Sequence, residues 1–156
     1  MIRLAVVVST FGYIGFFPVA PGTIGSAAGL ALYGVVRLFG VGTPEVVAIL
    51  LLFGAGVASG NLAERHFGAI DPGPVVIDEV MGMLITLFAI PAGWGGALLG
   101  FLFFRILDIV KPYPASRAER LPGGLGMMAD DAVAAIYANI ALRGVWWMAP
   151  SWITPS

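Results

Sequence analysis

The chain has 156 residues, of which 59% are apolar and 11% are charged, with a net charge of −1 and a mean hydropathy of +0.95. Soluble globular proteins carry about a quarter charged residues, so this composition favours an integral membrane protein. The shortage of charge excludes intrinsic disorder and nucleic-acid binding, and the absence of cysteine excludes disulfides and thiolate metal sites. The length allows one domain, which we expect to cover residues 1–156.

Apolar segments separated by glycine and proline predict the helices. The run at residues 4–9 is too short for the apolar region of a secretory signal peptide, and we expect a short interfacial or re-entrant helix there. Glycines and prolines between residues 12 and 22 delay the first long helix, because proline removes a backbone donor and clashes with the preceding turn. In chain order, the longer helices are expected at about residues 23–39, 45–62, 78–90, 97–110 and 130–147.

The predicted helices are short for a membrane protein. Each has about 14 to 18 residues, whereas a helix needs roughly 20 to cross a ~30 Å hydrocarbon core. We therefore expect some of them to begin in the headgroup region or to re-enter the bilayer. The resulting fold class is all-α: a compact, membrane-inserted bundle of about five to six helices with a polar site at helix ends on one face.

The charges and tryptophans predict the orientation of this bundle. If successive helices form hairpins, the segments 1–25, 61–79 and 105–131 lie on one side and carry six of the eight lysines and arginines. The positive-inside rule places that side in the cytoplasm. The four tryptophans, which favour the membrane interface, lie towards the opposite side: Trp94, Trp146, Trp147 and Trp152.

Two pairs of adjacent acids are predicted to meet on the cytoplasmic side. Asp78 and Glu79 open the third long helix, and Asp130 and Asp131 open the fifth. A single acid at such a position is explained by helix capping and by the helix dipole. Capping requires only one acid per helix, however, and ionisable groups near membrane depth are costly unless they serve a function.

Cations and a glycine-containing loop are predicted near these acids. Arg105, Asp108 and Lys111 share one face of the fourth helix at a spacing of three residues. Oxygen ligands without cysteine suit Mg²⁺, while arginine and lysine suit phosphate oxygens. The loop around Thr23, in the segment PGTIGS at residues 21–26, enters a helix whose N-terminus favours anions. Together these features indicate phosphoryl chemistry on a lipid headgroup.

Four segments carry a family resemblance that extends over roughly residues 12–140. They read PGTIG at residues 21–25, VIDEVMG at 76–82, FRILDIVKPYP at 104–114 and GGLGMMADD at 123–131. In order and spacing they resemble the phosphatidylglycerophosphatase A family. Ala129 departs from the pattern, which has a larger aliphatic residue at that position.

The resemblance implies an all-α, Mg²⁺-dependent phosphatase of the bacterial inner (cytoplasmic) membrane. It implies hydrolysis of phosphatidylglycerophosphate to phosphatidylglycerol and inorganic phosphate. With its charge-derived orientation, the protein is expected to be multi-pass, with the active site facing the cytoplasm and the lipid tails of the substrate against the apolar helices.

We assign site roles from the chemistry of the residues. The predicted catalytic residues are Asp78, Glu79, Asp108, Asp130 and Asp131. The predicted Mg²⁺ ligands are Asp78, Glu79, Asp130 and Asp131, with Glu79 as ligand or general base. The residues predicted to bind the substrate phosphate are Thr23, Arg105 and Lys111. Metal-activated water is the expected nucleophile, because the chain has no cysteine, a single histidine and no D-x-D segment.

Two other functions remain compatible with the sequence. One is a small membrane ion or phosphate transporter, although its charges should lie near mid-membrane on broken helices. The other is a different Mg²⁺-dependent enzyme of phospholipid headgroups. A CDP-alcohol phosphotransferase would need a D-G-x-x-A-R run, which this chain lacks.

The glycine-rich helices would also allow a homo-oligomer without requiring one.

Overall fold

The computed structural model describes residues 1–154 and contains helices but no strand in that range, which confirms the expected all-α fold. The helices form a compact bundle in which short loops and one 3₁₀ turn, Ile14–Phe16, connect the elements. The helices are α1 (Ile2–Ser9), α2 (Pro21–Arg37), α3 (Thr43–Phe67), α4 (Ile77–Leu87), α5 (Trp94–Val110), α6 (Ala115–Ala118), α7 (Gly124–Met148) and α8 (Pro150–Ile153).

Helix α4 is the centre of the bundle. It packs against α2, α3, α5 and α7, and nine of its eleven residues are buried. Its apolar side chains join the main core, where Leu84 and Leu87 meet Phe104 from α5 and Leu142 from α7. At 1.5 Å per residue α4 is about 16 Å long, so this predicted span is too short to cross a bilayer by itself.

Helices α3 and α7 are longer than predicted. Each has 25 residues and is therefore about 37 Å long. Among the described residues, these are the two helices that are long and apolar enough to cross a membrane. The expected C-terminal boundary of α3 near residue 62 is wrong, because the helix continues to a left-handed Gly68 whose N–H donates to the Glu64 carbonyl.

The expected start of α7 at residue 130 is also wrong. The helix begins at Gly124, whose N–H donates to Asn61 Oδ1 of α3 at 3.0 Å, and Gly123 before it has a φ of 62° that favours glycine. The glycine-rich stretch that predicted a loop is instead the first turn of a helix. As a result, Asp130 and Asp131 lie nearly two turns inside α7 rather than at its end.

Glycines permit a close crossing of α3 and α7. A Cβ on Gly124 would lie 2.5 Å from the Val57 carbonyl oxygen, and one on Gly60 would lie 2.7 Å from the Cα of Gly124. Both neighbours are backbone atoms, which cannot move without shifting a helix. Small residues at such a crossing let two helix backbones approach directly.

The outer surface of the bundle is apolar along α5. Leu98, Leu102, Ile106 and Ile109 recur on one helical face, and each is more than half exposed. Near the end of α5, Ile106 and Ile109 of this stripe follow directly after the charged residues Arg105 and Asp108. An apolar stripe of this length favours contact with lipid.

We expect Gly124→Ala to destabilise the protein by about 1–3 kcal/mol, because the added methyl overpacks the α3–α7 crossing. Thermal unfolding of the purified protein in detergent measures the effect. Gly54→Ala is the matched control, since no heavy atom lies within 4 Å of a Cβ at that position of α3. Equal melting temperatures for both variants would contradict the proposed close crossing.

Candidate active site

Asp78 and Glu79 occupy the first turn of α4, as the sequence predicted. The preceding segment is held in place by α1, because the N–H of Val76 donates to the Ser9 carbonyl at 2.9 Å. Asp78 is only 6% exposed, and its Oδ1 accepts a hydrogen bond from the Glu79 N–H at 3.1 Å. The short helix thus directs two carboxylates into the interior of the bundle.

Asp131 of α7 completes a group of three carboxylates. It is 4% exposed, and one ligand oxygen from each of Asp78, Glu79 and Asp131 lies within 4.8 Å of the others. The neighbouring Asp130 lies about 100° away around the helix and faces a different partner. Two acids that are adjacent in sequence therefore enter two different environments.

Helix α5 adds an arginine and a further acid. Arg105 Nη1 lies 2.7 Å from Asp108 Oδ2 and 3.8 Å from Glu79 Oε1. Asp108 is also a charged neighbour of Asp131. Arg105 therefore links α5 to the carboxylates of α4, and its buried Nε has no hydrogen-bond partner among the described residues.

Lys111 is bound to two carboxylates. Its ammonium Nζ lies 2.6 Å from Asp130 Oδ2 and 2.8 Å from Glu119 Oε1. Burial lowers the pKa of Lys111, but the two hydrogen bonds outweigh it and hold the pKa above its ordinary value. The predicted ligand set thus divides: Asp78, Glu79 and Asp131 cluster, whereas Asp130 pairs with the lysine that was predicted to bind phosphate.

The first turn of α2 reaches the site through a glycine. A Cβ on Gly22 would collide with Glu79 Oε1 and would lie 3.0 Å from Arg105 Nη2. The N–H groups of Thr23 and Ile24 both donate to the Ala20 carbonyl, at 2.9 and 3.2 Å. Those two amides are therefore already hydrogen-bonded at the start of the helix, and Gly22 is a residue of this loop that lies against the site.

Sequence reasoning missed two contributors to this arrangement. Gly22 was treated as a helix breaker, although it lies within the PGTIG motif that carried the resemblance. Glu119 gave no signal, because its partner Lys111 is eight residues away and the two are joined by a turn that contains Pro112 and Pro114.

The electrostatics of the cluster favour a bound cation. Burial raises the pKa of Asp78 well above its usual range, and the charges of Glu79 and Asp131 raise it further. Burial also raises the pKa of Glu79, despite the lowering by its hydrogen bond with Asp78 and by Arg105. Burying several carboxylates together is costly unless opposite charge compensates them.

The donor set fits Mg²⁺. Glu79 Oε2 and Asp131 Oδ2 are buried and lack a hydrogen-bond partner among the described residues. The available ligands are all carboxylate oxygens, which a hard divalent cation prefers, and Mg²⁺ commonly binds through a few carboxylates together with substrate phosphate. The group Asp78, Glu79 and Asp131 could therefore hold the ion.

Buried carboxylates beside Arg105 in a helical bundle define a class of site, one suited to phosphoryl chemistry assisted by a divalent cation. The comparisons with known proteins specify the family. The model of the family described as Phosphatidylglycerophosphatase A matches residues 7–146. The chain belongs to the phosphatidylglycerophosphatase A family, and it is a phosphatase.

Curated relatives cover most of the chain. A Haemophilus influenzae protein named phosphatidylglycerophosphatase A is 39% identical over 86% of this chain and 84% of its own length. The Escherichia coli protein of the same name is 36% identical over 78% of this chain and 72% of its own length. A Bacteroides thetaiotaomicron protein with the provisional name phosphatidylinositol-3-phosphatase is 34% identical over 93% of this chain and 95% of its own length. No solved structure matches the chain significantly.

We expect Gly22→Ala to lower phosphatase activity by about tenfold or more, because the methyl group would displace the Glu79 carboxylate and the Arg105 guanidinium, and small displacements of catalytic groups are costly. Release of inorganic phosphate measures the effect. The matched control is Gly34→Ala in the same helix, where a Cβ has no neighbour within 4 Å. If both variants retain full activity, the contact of α2 with the site has no catalytic consequence.

Proposed function

We propose that the protein hydrolyses phosphatidylglycerophosphate to phosphatidylglycerol and inorganic phosphate, with Mg²⁺ as its cofactor. The observation that carries the proposal is the cluster of Asp78, Glu79 and Asp131 within 4.8 Å, with Arg105 beside it. The family and the names of the Haemophilus influenzae and Escherichia coli relatives support the substrate. The apolar bundle around the site suits a substrate with lipid tails.

The proposed roles follow from the positions of the side chains. Asp78, Glu79 and Asp131 would hold the ion, which supplies charge neutralisation on phosphate and lowers the pKa of water. Arg105 is positioned by Asp108, and its buried Nε has no hydrogen-bond partner among the described residues, so we expect the guanidinium to donate to a phosphate oxygen. Glu79 Oε2 is buried and has no hydrogen-bond partner among the described residues, which suits a general base that accepts the proton of the attacking water.

Lys111 and Asp130 have a supporting role in this proposal. Their ion pair joins the end of α5 to α7, at the residue that precedes Asp131 of the carboxylate cluster. Two of the three ammonium donors of Lys111 are used by Asp130 and Glu119. The third donor has no acceptor among the described residues and can reach a phosphate oxygen, so the predicted phosphate contact of Lys111 remains part of the proposal.

Phosphate release in detergent tests the function. We expect the purified protein to release inorganic phosphate from phosphatidylglycerophosphate with Mg²⁺, to stop after chelation and to recover when Mg²⁺ is restored. Asp78→Asn and Asp131→Asn should each lower the rate about 100-fold or more, since several kcal/mol of transition-state stabilisation would be lost. Glu64→Gln, which lies towards the end of α3 outside the cluster, is the control and should retain the wild-type rate.

The same assay distinguishes the alternatives. Faster hydrolysis of phosphatidylinositol 3-phosphate would instead assign the substrate that the Bacteroides thetaiotaomicron relative is named for. Full activity in the presence of chelator would overturn the Mg²⁺ requirement. Phosphate transport into vesicles without hydrolysis would favour the transporter.

We also propose that the protein is a multi-pass protein of the bacterial inner membrane with its site facing the cytoplasm. The lengths of α3 and α7 and the apolar stripe on α5 support insertion into the membrane. The distribution of lysine, arginine and tryptophan along the chain supports the orientation.

Because the chain has no cysteine, single thiols can test the orientation. In intact spheroplasts, a membrane-impermeant maleimide should label Trp147→Cys and should label Arg120→Cys only after permeabilisation. Both positions are exposed, so burial does not explain a difference in labelling. The opposite pattern would reverse the proposed topology.

A further inference from the structure

The C-terminus of α4 is capped by side chains from α7. The last carbonyls of a helix lack partners within the helix. Here the amide Nδ2 of Asn139 lies 2.9 Å from the Thr86 carbonyl oxygen, 3.2 Å from that of Ile85 and 3.1 Å from that of Phe88. Arg143 donates to the Phe88 carbonyl at 3.0 Å and to Asn139 Oδ1 at 2.8 Å.

These hydrogen bonds join the same two helices that carry the carboxylate cluster. Asp131 and Asn139 are eight residues apart in α7, and Asp78 and Thr86 are eight residues apart in α4. Each interval is about 12 Å at 1.5 Å per residue. The helices are therefore parallel and in contact at two levels, with carboxylates at one level and the Asn139 amide at the other.

The carboxylate level needs such an anchor. Asp78, Glu79 and Asp131 repel one another when ionised, and this repulsion acts to separate α4 from α7. Methionines supply much of the nearby packing, including Met81, Met127 and Met128. Met side chains adapt easily and specify an axial position weakly, whereas hydrogen bonds to particular carbonyls do specify one.

We propose that Asn139 is a positioning residue that sets the axial register of α4 against α7 and thereby holds Asp78 and Glu79 opposite Asp131. This inference rests on the proposed function for its catalytic consequence. The amide touches none of the reacting groups, and it acts through the helix that carries them.

The test compares Asn139→Leu with Tyr33→Phe. Leucine has a similar size and suits a helix, but it removes the donors to the three carbonyls. Tyr33 is a matched control: it is buried, and its hydroxyl donates to the Ile90 carbonyl at 3.1 Å, just beyond the end of α4. Its hydrogen bond comes from α2, however, and does not set the register with α7.

Two measurements separate positioning from general stabilisation. With phosphatidylglycerophosphate, Asn139→Leu should lower kcat about tenfold or more with little change in KM, whereas Tyr33→Phe should leave kcat near wild type. Without substrate, Mn²⁺ binding followed by electron paramagnetic resonance should weaken about tenfold or more in Asn139→Leu only. If the two variants agree in kcat and in Mn²⁺ affinity, the positioning role is overturned and the proposed function stands.

A third measurement is independent of metal and activity. In the cysteine-free chain, Asp78→Cys and Asp131→Cys place two thiols at the cluster, which iodine oxidises to a disulfide as it is reduced to iodide. Adding Asn139→Leu should slow the formation of this disulfide about tenfold, and adding Tyr33→Phe should not. Equal rates of disulfide formation overturn the register role, whether or not the wild-type protein is active. An inactive wild-type protein overturns the proposed function and leaves this measurement unaffected.

If Asn139→Leu does not fold, Asn139→Gln takes its place in all three measurements. Glutamine keeps the amide but carries it on a longer stem, so its donors are displaced from the carbonyls of α4. The same direction of change, smaller in size, is expected for kcat, Mn²⁺ affinity and disulfide formation. Wild-type values in all three would overturn the proposal.

Discussion

Three carboxylates from α4 and α7 lie within 4.8 Å of one another in the interior of a bundle that is largely apolar. Like charges this close interact strongly when they are shielded from water. The fold balances them with Arg105, which joins Glu79 to Asp108, and anchors the helices that carry them at a second level. A divalent cation would complete the compensation, and this need connects the fold to the proposed chemistry.

Adjacent acids in this protein have different partners because a helix turns by about 100° per residue. Asp131 enters the carboxylate cluster, while Asp130 forms an ion pair with Lys111 that joins α5 to α7. The pairing of acids in the sequence therefore does not mean that both members serve one ion. Asp131 lies in the carboxylate cluster, and Asp130 holds α7 against the end of α5.

The sequence was sufficient to predict the helical class, the approximate positions of the long helices and three acids that the structure brings together, Asp78, Glu79 and Asp131. Some boundaries failed where glycine was treated only as a helix breaker. Gly124 begins α7 because its lack of a side chain allows contact with the backbone of α3, and Gly22 lies inside α2 because it allows contact with Glu79 and Arg105. In both places, the partner that makes glycine favourable is distant in sequence.

Composition and local pattern by themselves determined that this chain is an apolar helical protein with acids and cations near the same end. Those properties depend on the residues and their neighbours along the chain. Tertiary structure decided which acids share a site, which cation each one meets, and that Asn139 connects α7 to α4. These outcomes depend on how helices rotate and slide against one another, and packing between distant segments sets both movements.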